Sequence, residues 1–171
     1  MAKGLDTGDM LTKAEIEIEQ LNGSQLHDEL AKMGGELLVD TLKLIEEGNV
    51  VAVPQDDALA TYAGLISKKD GKIDFTKTPV EIERLIRGFD PWPGAFCNLG
   101  EEVIKFWKAI PTEEETSKEP GTVLLADNEG IKIACGGKVL AVTEIQAPGK
   151  KRMAVGDYLR GHSIEKGSKF E

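Results

Sequence analysis

Two stretches of this 171-residue chain carry side chains whose types and spacing could do chemistry. The first is Gly4-Leu5-Asp6-Thr7-Gly8, a carboxylate in a glycine-bounded turn. Asp-Thr-Gly fits an aspartic protease, where two such carboxylates share one proton. The chain offers one copy, no second glycine-flanked Asp with apolar neighbours, and a long helical pattern soon after, so that chemistry lacks its second half. The plain alternative is an Asp satisfying backbone donors in a Gly turn. The second stretch is Gln146-Ala147-Pro148-Gly149-Lys150-Lys151-Arg152-Met153, three cations on a Pro-Gly turn. Such a cluster can neutralise phosphates. A merely solvated turn explains it equally well, since no aromatic stacking ladder accompanies it.

Other chemistries find little material. Cys97 and Cys135 are far apart and in no metal-ligand spacing, so buried free thiols are expected, with no disulfide. Two histidines and no Cys-rich motif leave nothing to build a zinc site from, and no metal site is expected. Glu113-Glu114-Glu115 is expected to be a solvated surface.

The elements that must position these residues follow from pattern. Met10, Thr12, Ala14, Ile16 and Ile18 alternate with Lys13, Glu15, Glu17 and Glu19, which predicts a strand with one wet face near a sheet edge. Gly23-Ser24 opens a helix to about Glu47, with Leu26, Leu30, Met33, Leu37, Leu38, Leu44 and Ile45 as its buried stripe and Gly48 as its stop. Gly34-Gly35 in its middle predicts close packing or a kink. Val50 to Asp57 is a short extended segment ending in a turn.

Thr78-Pro79-Val80-Glu81 has the form of a capped helix start, with Ile82, Leu85, Ile86 and Phe89 as one apolar stripe and a Glu83–Arg87 pair on the wetter side. Asp90-Pro91-Trp92-Pro93-Gly94 ends that helix, because neither proline donates a helical hydrogen bond. Beyond Trp92 the pattern is all-β. Segments 96–100, 103–110, 122–126, 131–135 and 139–145 are predicted strands separated by tight turns, with 112–120 a polar loop and 153–160 a closing helix.

Composition is that of a globular chain, 40% hydrophobic and 30% charged, with no run of 18 apolar residues and no signal-peptide core. A soluble cytoplasmic protein without a membrane partner is expected. The formal charge of −9 argues against a general nucleic-acid binder, DNA included. Charge is uneven, however: up to Phe75 seven lysines face fifteen acids, a net of −8, and from Thr76 onward fourteen cations face fifteen acids, a net of −1. The second half can carry a local basic patch.

Several of these segments together, TYAGLISKKDGKIDF over 61–75, the capped helix with IERLIRGFD, and PWPGA over 91–95, resemble the junction into the C-terminal domain of methionyl-tRNA formyltransferases. The resemblance extends over essentially all 171 residues and matches the C-terminal part of that architecture. It implies an α+β chain in three parts: 1–55, a strand and helix left from a Rossmann-like formyltransferase domain; 56–77, a linker; and 78–171, a linker helix leading into a small OB-like β-barrel.

The activity implied is transfer of a formyl group from 10-formyltetrahydrofolate to the amino group of initiator methionyl-tRNA. GLDTGDM would hold Asp6 where the family has the Asp that orients and charges a catalytic His. The family takes that His, and an Asn, from an Asn-x-His motif upstream of this Asp; only five residues precede Asp6, and neither His27 nor His162 has an Asn two positions earlier. Met1 resembles an internal methionine of a longer frame. Asp6 is then the only catalytic residue expected here, and no folate is expected to bind this chain alone. For tRNA binding, the resemblance implies Lys68, Lys69 and Lys72 of the linker, with Lys150, Lys151 and Arg152 of the barrel turn. Two other functions fit: a related 10-formyltetrahydrofolate-using enzyme with the same C-terminal barrel, such as the hydrolase part of formyltetrahydrofolate dehydrogenase, or a tRNA-binding or partner-binding module without catalysis.

Overall fold

The computed structural model describes residues 4–171. Contacts divide them into two units, one running to Leu65 and the other Ile66–Glu171.

The first unit is built on helix α1, Gly23–Glu46. Asn22 caps it: its side chain accepts from the Gln25 N–H, and Gln25 returns a bond to the Asn22 N–H. The predicted stripe is half right. Leu26, Met33, Leu37 and Leu44 are partly covered along the face that carries the one buried helix residue, Thr41. Thr41 exchanges a 2.6 Å hydroxyl contact with Thr12. Leu30, Leu38 and Ile45 instead face solvent with Val39 and Leu42, because the surrounding chain covers one side only. A side chain added at Gly34 or Gly35 would meet nothing within 4 Å, so these glycines mark no close packing.

The strand expected over Met10–Glu19 does not form as a ladder. A strand needs a neighbour along its length. Here only Met10 pairs, with Val53, through two 2.9 Å backbone bonds.

The second unit holds the sheet. A 3-10 turn, Lys68–Gly71, leads into Ile73 and Phe75, both core residues, while Lys68, Lys69, Lys72, Asp74, Thr76 and Lys77 between and around them are exposed. Helix α2, Pro79–Gly88, starts as the sequence predicts: the Thr78 hydroxyl and N–H both donate to Glu81, whose own N–H donates back to the Thr78 oxygen. Ile82 and Ile86 are buried against the sheet. Glu83 and Arg87 do pair, at 2.8 Å, but in a sheltered position, with side chains 15% and 19% exposed.

The strands are β1 (Ala95–Leu99), β2 (Glu102–Glu115), β3 (Val123–Asp127), β4 (Gly130–Cys135), β5 (Lys138–Gln146) and β6 (Met153–Ala154). They form one antiparallel, open sheet in the order β1-β2-β5-β4-β3, with β6 on β5. β2 outruns its predicted length because its backbone stays paired with β5 as far as Glu115 and Lys138; Glu113 and Glu114 are exposed, as expected, and pair with Lys138 of β5 and Lys132 of β4. The β4–β5 turn is Gly136-Gly137, both with positive φ, as a two-residue hairpin of this twist requires. The closing helix is only α3, Val155–Leu159.

The two outer strands do not pair with each other. The last residues of the chain bond to both instead. Asn98 and Glu171 exchange backbone bonds of 2.7 and 2.9 Å, while the Val123 N–H donates to Ser168 and the Phe170 N–H to Gly121. Phe170 thereby enters the core, edge-on to Phe106 at 5.3 Å and near Phe75 at 6.3 Å.

Candidate nucleic-acid interface

The two basic segments that the sequence offers separately adjoin the two ends of one row of paired residues on the sheet. Lys72 bridges Phe96 of β1, Phe96 pairs with Lys105 of β2, and Lys105 pairs with Gln146 of β5. Cross-strand partners share a face. The row Phe96–Lys105–Gln146 therefore crosses three strands on the side opposite the core residues Cys97, Ile104, Phe106 and Ile145, while Lys72, bridged to Phe96 through the backbone, lines a hollow beside α2 with Asp74, Lys77, Glu81, Ile82 and Leu85. At one end the 3-10 turn carrying Lys68 and Lys69 is pressed onto β1: a methyl at Gly71 would sit 2.3 Å from the Gly94 carbonyl oxygen. Asp70 stabilises that turn by accepting from the hydroxyl and the N–H of Ser67, which hold its carboxyl below the usual range.

At the other end stands the Pro148-Gly149 turn. The Lys150 N–H donates to the Ala147 carbonyl, Gly149 takes a positive φ, and the Gln146 side-chain amide donates to the Lys150 carbonyl at 2.9 Å. Lys68, Lys69, Lys72, Lys150 and Lys151 are all exposed, and none forms an ion pair among the described residues.

Arg152 differs from these five. Its Nη1 donates to Asp90 at 2.9 Å and its Nε to Glu144 at 2.7 Å, and its guanidinium lies 5.1 Å from the centre of the Trp107 ring. Partial burial pulls its pKa down, but the two carboxylates outweigh that and hold it above its ordinary value.

Lys105 and Trp107 also belong here and were not singled out from the sequence; Gln146 and Asp90 were named there without a partner. The Lys105 ammonium lies 5.6 Å from the Trp107 ring centre, and the indole N–H donates to Gln146 at 3.1 Å. The alternation Ile104-in, Lys105-out, Phe106-in, Trp107-out was the available signal.

Asp6 lies in the first unit, in a turn where it takes a positive φ of 56°. The Gln55 amide donates to the carbonyls of Asp6 and Gly8 at 2.9 and 2.6 Å, which ties that turn to the segment after Val53. Asp6 lines an open cleft of about 780 Å³ with Asp56, Asp57 and Tyr62. No histidine is among its described lining residues: His27 lies on α1 against Asp28, and His162 stacks on Tyr158 with 4.2 Å between ring centres. No group of residues able to hold a metal occurs among the described residues, and none of their helices is long and apolar enough to cross a membrane.

Residues 65–163, which contain the whole basic face, match the family model described as formyl transferase, C-terminal domain. The chain belongs to that family. Among curated relatives of this formyl transferase chain, a protein named methionyl-tRNA formyltransferase from Clostridium novyi (strain NT) is 46% identical over 166 residues, covering 96% of this chain and 54% of that protein. One of the same name from Clostridioides difficile (strain 630) is 42% identical over 168 residues, covering 98% and 54%. The chain thus spans about half the length of the curated relatives it matches. Among solved structures, HypX from Aquifex aeolicus shares the fold: one variant gives a TM-score of 0.66 at 18% identity over 96% of this chain and 30% of that one. The HypX complex with tetrahydrofolic acid gives 0.64 at 16%, over 98% and 32%.

Proposed function

We propose that this chain is the C-terminal part of a methionyl-tRNA formyltransferase, whose second unit holds initiator methionyl-tRNA in the cytoplasm for translation initiation. The observation that carries this reading is the placement of Lys68, Lys69, Lys72, Lys105, Lys150 and Lys151 on and around one sheet face. The family membership and the relatives' names supply the partner. Phosphates are the group such a face attracts, and counterion release makes the attraction salt-dependent. On this reading the sheet and its C-terminal residues are an OB-like barrel, and α1 with the Met10–Val53 pair is the end of a Rossmann-like formyltransferase domain.

The full reaction would move a formyl group from 10-formyltetrahydrofolate to the methionyl amino group. It needs a base for the amine proton and a donor for the tetrahedral oxyanion. The described residues around Asp6 include the carboxylates of Asp56 and Asp57 and no imidazole. Asp6 is proposed only as a carboxylate that orients a histidine. The whole basic face lies in the second unit, which also fits a second reading, a tRNA-binding module without catalysis of its own.

The test is tRNA affinity measured between about 50 and 200 mM salt. Alanine at Lys150 and Lys151 should flatten the log–log salt slope by about 1.5 to 2, and alanine at Lys68, Lys69 and Lys72 by about 2 to 3. Binding with an unchanged slope after all five replacements would place the RNA elsewhere. Formyl-methionine formation by this chain in the presence of the folate donor would dismiss the module reading.

A further inference from the structure

We propose that Arg152 is a positioning residue and not a phosphate contact: its bridge between Asp90 and Glu144 holds the 147–151 turn so that Lys150 and Lys151 face the RNA. The inference rests on the function proposed above. Arg152 stands at the return of the β5–β6 hairpin, one residue before Met153 pairs with Ile145. Its two carboxylate partners come from different places, Glu144 from β5 and Asp90 from the turn that ends α2. Asp90 is 7% exposed and the Arg152 side chain 41%. The pair therefore fastens a surface turn to an anchored group 62 residues earlier in the chain. The Trp107 ring lies against the guanidinium, and its N–H holds Gln146, which in turn holds the Lys150 carbonyl. Arginine suits this task because its planar fork can satisfy two carboxylates at once, which a lysine ammonium does less well. Lys150 and Lys151, by contrast, have no ion-pair partner among the described residues.

The two roles predict opposite responses in the full chain. If Arg152 touched phosphate, Arg152→Lys would keep the charge and most of the affinity, and Asp90→Asn would free a cation and tighten tRNA binding. As a positioning residue, both variants should release the turn. Trypsin cleavage after Lys150 and Lys151 should then accelerate by about tenfold, since cleavage follows the population of the open segment. Affinity for methionyl-tRNA should fall severalfold in both. Alanine at Lys150 and Lys151 should also cost less affinity in the Arg152→Lys background than in the original chain, because those lysines are already out of place. General loss of fold would not give that coupling, and circular dichroism identifies a variant that fails to fold. The other variant then decides. Unchanged cleavage in a folded variant, tighter binding by Asp90→Asn, or full affinity in Arg152→Lys would each overturn the proposal. Faster cleavage with no tRNA binding by any form, the original chain included, would sink the RNA reading and with it the role given to the lysines.

Discussion

Thr78 and Glu81 form a closed ring of hydrogen bonds at the start of α2, all on the surface. The Thr78 hydroxyl, and then its N–H, hold the Glu81 carboxyl below its ordinary 4.5. A group depressed in the folded state stabilises above its ordinary pKa, and that contribution disappears as pH falls through the depressed value. Thr78→Ala should therefore destabilise the second unit at pH 7, and by less at a pH low enough to protonate Glu81. Denaturant titrations at the two pH values check this, and an equal cost at both would show that the carboxylate plays no part. This cap was legible in the sequence because its partners are three residues apart. Arg152 and Trp107 were not, since Asp90 and Gln146 lie 62 and 39 residues away from them and no local spacing predicts such pairs. The cysteines lie between these cases. Their spacing, which suits no metal, implied buried free thiols, and burial pushes the Cys135 thiol up to about 11 and Cys97 well above its usual value.

Among the elements, α1 is the one whose pattern was legible and whose packing was not. Its ends were read from Gly23-Ser24 and Gly48, though not the Asn22–Gln25 cap, and the apolar residues span more of its surface than the unit covers. Periodicity identifies the apolar face of a helix without identifying what covers it. The same gap explains Met10–Glu19, where alternation satisfies the side-chain half of a strand and the backbone finds one partner residue. The five strands of the second unit were legible because each turn carries its own glycine or Asp signal, such as Asp127 accepting from the N–H groups of Glu129 and Gly130. Two-residue β6 has no such signature. The open space around Gly34 and Gly35 has a direct consequence for stability. Gly34→Ala and Gly35→Ala should each stabilise α1 by about 1 kcal/mol, because alanine loses less backbone freedom and nothing obstructs its methyl. Helical ellipticity followed through urea unfolding measures the gain, and a loss of stability would mean that something does pack there.

At the scale of the whole molecule, charge is segregated between the units. Through Leu65, four lysines face thirteen acids, a net of −9; from Ile66 onward seventeen cations face seventeen acids, a net of zero. The chain's acidity thus belongs to the unit without the basic face, and the overall charge does not describe the second unit. The second unit also has one fastener for two edges, the segment 167–171 between β1 and β3. If that segment lifts, the edges lose it together. The amides of Asn98 and Val123 belong to different strands, yet one opening event exposes both. Under conditions where exchange reports equilibrium opening, they should return the same free energy of protection, lower than that of Ile133 in the interior. Phe170→Ala should lower both by the same amount, and different protections for the two amides would show that the edges open independently. On that expectation the sheet's two margins breathe as one.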